Sequence, residues 1–101
     1  MNAALNTSSW ATPATLNHTN WQTAKADCLL AIQTAMRSNN ATVAQIFTVN
    51  WQACTVVDSS ALAFILFFKK RFTTLTIQHQ HIPIALKQLA QLYEVTDIVA
   101  I

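Results

Sequence analysis

Glycine is absent from all 101 residues of this chain, and that one absence removes whole classes of site. A phosphate-binding P-loop, the dinucleotide fingerprint G-x-G-x-x-G, the nucleophile elbow G-x-S-x-G and an EF-hand loop all need glycine. In each, the backbone turns with positive φ or closes on a ligand without a side chain in the way. The length is that of one domain, able to bury roughly two-thirds of its unfolded surface without a disulfide or a metal. Apolar residues make up 52% of the chain and charged residues 10%, a balance that excludes disorder over most of its length.

The pattern along the chain reads as alternating strands and helices. Met1 to Ser9 is small and polar and is expected to fray, leaving a single domain over residues 10–101. Trp10 to Asn17 suits two short strands, with Pro13 at the turn or edge between them. From Trp21 to Arg37, Ala24, Cys28, Ala31, Ile32, Ala35 and Met36 recur at helical spacing, with Asn20 placed to cap and Ser38-Asn39-Asn40 to stop the helix. A strand is expected at Gln45 to Val49. After a loop and Val56-Val57, Asp58-Ser59-Ser60 caps a second helix, Ala61 to Phe68, whose cations Lys69, Lys70 and Arg71 lie at the negative end of its dipole. A strand at Leu75 to His79 and a helix from Pro83 to Tyr93 follow, the latter with Ile82, Leu86, Leu89 and Tyr93 as its buried stripe. Val95 to Ile101 is apolar enough to pack back. The order β-β-α-β-α-β-α argues for an α/β fold around a small sheet.

The second helix carries the strongest hint of function. Ala61, Phe64, Ile65, Phe68 and Phe72 fall on one side of its wheel, and Leu62, Ala63, Leu66 and Phe67 occupy most of the other. A helix apolar all round must be covered all round. The second face therefore asks for a partner, unless the third helix or the C-terminal segment covers it.

The net charge of +2 rests on six Lys and Arg, three of them in the Lys69–Arg71 cluster. That is too small a positive footprint for nucleic acid, and the cluster reads as a solvated helix end. The longest apolar run, Ala61 to Phe68, is far short of the ~20 residues that cross a bilayer. Met1 to Ser9 has no signal-peptide pattern, so the chain is expected to stay in the compartment where it is made. Cys28 lies on an apolar stripe and Cys54 in another setting, with no metal spacing between them. His79 and His81 form an H-x-H pair that a strand would aim to one side, but no third or fourth ligand lies near, so hydrogen-bonded or solvated rings are expected. His18 has no acid beside it in sequence. The acids Asp27, Asp58, Glu94 and Asp97 form no carboxylate pair, and neither catalysis nor a cofactor is expected.

The stretch Ile46 to Ala63, IFTVNWQACTVVDSSALA, resembles the central signature of STAS domains, the sulfate-transporter and anti-sigma-factor-antagonist family. Leu89 to Val99, LAQLYEVTDIV, is similar to that family's closing helix and tail. Within the family, Val57-Asp58-Ser59-Ser60-Ala61-Leu62-Ala63 and Leu89-Ala90-Gln91-Leu92-Tyr93 look most like the MlaB-like branch, small subunits of phospholipid-transport ABC complexes. The resemblance implies a small mixed sheet flanked by helices, and a non-catalytic subunit that binds a cytoplasmic, MlaF-like ATPase beside a membrane permease. It also implies a location peripheral to the inner membrane and a part in maintaining outer-membrane lipid asymmetry. The implied partner surface is Ser59, Ser60, Ala61, Phe64, Phe67, Phe68 and Arg71. In anti-sigma-factor antagonists the hydroxyl residue that corresponds to Ser59 is the phosphoacceptor, which gives the alternative expectation of a phosphorylation switch. Two positions depart from the family pattern: Ala61 replaces the usual glycine, narrowing the room beside Ser59, and Asn50 stands where an Asp often closes the strand.

Overall fold

The computed structural model describes residues 5–38 and 44–101. Its strands are β1 (Leu5–Ala11), β2 (Thr15–Leu16), β3 (Ala44–Asn50), β4 (Val56–Val57) and β5 (Thr76–Gln80). Its helices are α1 (Trp21–Ser38), α2 (Ser59–Arg71), α3 (Ile84–Leu92) and the short α4 (Thr96–Val99). The α/β expectation holds, with two corrections. The sheet β1-β3-β5 and the small ladder β2-β4 are both wholly parallel rather than mixed. The first strand begins at Leu5, inside the stretch expected to fray, and it pairs with β3.

Parallel neighbours need crossover helices, and right-handed crossovers from β1 through α1 to β3, and on through α2 to β5, put both helices on the same side of the sheet. The helices accordingly pack on one another, α2 touching α1, α3 and α4. Register and burial agree with this arrangement. Trp10, Val49 and His79 stand side by side on the inner face, as do Phe47 and Ile77, with Phe47 and Val49 fully buried. Ser9, Thr48, Asn50, Gln78 and Gln80 alternate onto the far face, opposite the side on which the described helices pack.

An aromatic ladder joins the layers. Trp10 stacks on Phe64 with ring centroids 5.7 Å apart, Trp51 meets Phe64 edge-on at 6.0 Å, and Phe64 meets Phe68 at 4.9 Å. Phe68 in turn stacks on Phe72. Cys28 and Ile32 of α1, with Leu16, Leu86 and Val99, complete the buried core. Burial pushes the Cys28 thiol up to about 12, with the Asp27 carboxylate adding to it, so Cys28 is a packing residue and not a nucleophile. Asn20 does not cap α1 through its side chain. Its Oδ1 accepts from Asn17 N–H at 2.9 Å and its Nδ2 donates to the Thr15 carbonyl at 2.6 Å, tying the helix start to β2.

Without glycine, other residues take left-handed backbone, among the described residues His81 (φ 58°), Glu94 (φ 56°) and Ala100 (φ 56°). Glu94 closes α3 in a Schellman arrangement, with Val95 N–H on the Ala90 carbonyl at 2.9 Å and Glu94 N–H on that of Gln91 at 3.1 Å. A side chain in this conformation costs roughly 1–2 kcal/mol that glycine avoids, offset in part by glycine's freer unfolded chain. Glu94→Gly is therefore expected to stabilise the fold by up to about 1 kcal/mol, read as a higher urea midpoint at unchanged slope.

Candidate functional site

The strand-to-helix junction Val56–Ser60 is organised by one carboxylate. Asp58 has extended backbone (φ −136°, ψ −168°), and its Oδ1 accepts the Ser60 N–H at 2.8 Å, which caps α2. Its Oδ2 accepts the His18 N–H at 3.0 Å and lies 3.1 Å from His18 Nδ1. His18 has no acid near it in sequence, yet the fold gives it one from a distance of 40 positions. Partial desolvation works to raise the Asp58 carboxyl, but the bonds from His18 and Ser60 outweigh it and hold the group below the usual carboxylate range. The result is a junction in which one carboxylate, bonded to the backbone and beside the ring of His18, fixes the loop before α1 to the start of α2.

Ser59, the first residue of α2, is exposed, and its hydroxyl bonds to no other described residue. Ser60 is half-buried. Three of the residues expected at a partner surface lie instead in the core: Ala61 and Phe64 have no exposure, and Phe68 has 1%. The sheet and the Trp10 and Trp51 rings claim that face of the helix, so these residues are not available as anchors. The opposite face is only partly covered. Leu62 is buried, while Phe67 is half-buried beneath Lys25, whose ammonium sits 4.7 Å above its ring. Ser59, Ala63, Leu66 and Lys70 recur at helical spacing as the outward stripe, with Ala63 and Leu66 half-buried. Arg71 is exposed and lies over the Phe72 ring at 5.2 Å, about 18 Å along the helix from Ser59.

The H-x-H pair is split. His79 is on β5, where the Trp51 indole N–H donates to its Nδ1 at 3.0 Å. His81 lies beyond the strand in left-handed backbone and is exposed. Among the described residues no group of three or more His, Cys, Asp or Glu could hold a metal ion. Burial pushes the Cys54 thiol up. No helix among the described residues is long and apolar enough to cross a membrane.

Comparison of the chain with protein-family models, with curated proteins and with solved structures found no match.

Trp51 can only donate, so His79 Nδ1 must be unprotonated, and burial holds the ring down at about 4 from its usual 6.5. Between those two values the unfolded chain carries a proton that the folded chain lacks, so stability falls as pH is lowered through that window. The expected loss by pH 4 is at most about 3 kcal/mol. Urea unfolding across pH 4–7 reads it, and His79→Gln is expected to flatten that part of the profile.

Proposed function

We propose that this chain is a non-catalytic STAS-type adaptor that docks, through the outward stripe of α2, on the cytoplasmic ATPase of an ABC-type phospholipid transporter. Its place would be peripheral to the inner membrane through that ATPase and its permease, in a system that keeps outer-membrane lipid asymmetry. The observation that carries the reading is the Asp58-Ser59-Ser60 junction. The residues resembling the family signature sit together where a strand hands over to a helix, and Ser59 heads a stripe of Ala63, Leu66 and Phe67 left partly open. An apolar strip bounded by Ser59 and Ser60 at one end and by Lys70 and Arg71 at the other has the layout of an interface, with an apolar centre and a polar rim.

A second reading has an observation of its own. The Ala61 side chain, which replaces the family's glycine, points into the core with no exposure and so does not crowd the Ser59 hydroxyl. That supports a phosphorylation-switched anti-sigma-factor antagonist with Ser59 as phosphoacceptor, since a phosphate there would meet the positive end of α2.

Ser59→Glu and Leu66→Arg are each expected to weaken co-purification of the ATPase at least about tenfold, roughly 1.4 kcal/mol, while Ser59→Ala retains it. Complexes unchanged by both charged variants would remove the α2 stripe as the docking surface. Phosphate on the Ser59 peptide, with a soluble kinase recovered in place of the ATPase, would favour the second reading.

A further inference from the structure

The far end of α2, away from Ser59, borders a second surface that the adaptor reading does not use. Among the described residues, strand β5 is an edge of the sheet. The Gln80 carbonyl accepts the Trp51 N–H at 2.9 Å, so Gln80 turns its backbone groups toward β3. Along a strand these groups alternate in direction, which leaves the N–H and C=O of Ile77 and His79 facing outward from the sheet. Natural edges are usually blunted by a charge, a proline or a bulge. Thr76-Ile77-Gln78-His79-Gln80 has no proline, and its one titratable ring is neutral because Trp51 donates to it.

Beside this edge lies an open groove of about 760 Å³ between β5, the last turns of α2 and α4. Ile65, Phe72, Leu75, Ile77 and Val99 make its apolar lining. Lys69 is the charged residue in it. Its ammonium donates to the Ile98 carbonyl at 2.6 Å, and among the described residues no carboxylate lies within ion-pair distance of it. The groove thus combines free backbone donors and acceptors, an apolar wall and an uncompensated cation.

We propose that the β5 edge receives a fourth strand from a partner protein: an extended segment that pairs with the backbone of Ile77 and His79, sets alternate apolar side chains into the groove and places a carboxylate against Lys69. Pairing along an exposed edge supplies affinity, and the alternate side chains supply selection. The cation speaks against β5 of a second copy of this chain as the occupant, because β5 carries no acidic residue to offer Lys69.

The test uses the full chain and displayed random peptides of roughly eight residues, long enough to cover one strand. Enriched peptides are expected to alternate apolar residues and to carry an acid. On binding, amide exchange at Ile77 and His79 should slow by about tenfold or more. Methylating the pairing backbone nitrogens of the peptide, which leaves the protein untouched, should abolish binding. Lys69→Gln should weaken acid-bearing peptides about fivefold and leave their glutamine counterparts unaffected. Failure of any peptide to enrich would overturn the proposal, as would binding that leaves Ile77 and His79 exchange unchanged. Sedimentation as a dimer whose free Ile77 and His79 amides are already protected would overturn it in favour of a second copy.

Discussion

Trp51 has no exposed surface, and an indole buried that fully must find an acceptor for its N–H or forfeit the hydration it had in water. His79 supplies that acceptor, and the requirement organises much of the molecule. The bond joins the end of β3 to β5 through side chains, beside the backbone bond from Trp51 to Gln80. The same indole meets Phe64 edge-on, so α2 is held over the central strand by the residue that locks the sheet. The histidine ring must stay neutral to do this, which makes a titratable group part of the hydrophobic architecture.

Helix α2 is asked to serve two purposes with one composition. Its inner face, from Ala61 through Phe64 and Ile65 to Phe68, is core, and its ends are held by different means. Asp58 and His18 fix the start, while Lys69 reaches the Ile98 carbonyl and fixes the last turns to α4. What remains on the outside is a narrow strip bounded by Ser59 and Lys70. An interaction surface here is a residue of packing: it consists of what the sheet, α1 and α3 leave uncovered.

Much of the fold is legible in the sequence because its helices carry periodic stripes and its central strands are β-branched or aromatic. Cys28 and Ile32 are buried as their spacing requires, and Asp58 caps α2 as its place before an apolar run suggests. The start of β1 is not legible, since Asn6-Thr7-Ser8-Ser9 offers no apolar alternation. Which side of α2 is buried is equally hidden, because a wheel apolar all round gives no preference; only the positions of Trp10 and Trp51 decide that Phe64 and Phe68 go inward. The two histidine contacts, to Asp58 and to Trp51, join residues 40 and 28 positions apart, beyond any local pattern.

The parallel arrangement also bears on how the chain acquires its structure. Every strand pairing joins segments thirty or more residues apart, and the central strand is the one that both edges need. Before β3 has left the ribosome, β1 has nothing to pair with, and before β5 follows, Trp51 has no acceptor. Early local contacts are confined to the helices, so loop closure must come before the sheet can reward it. A chain built this way should fold late and nearly all at once, and an arrest in synthesis soon after α2 would leave its most apolar helix with only two of the sheet's three strands to rest on.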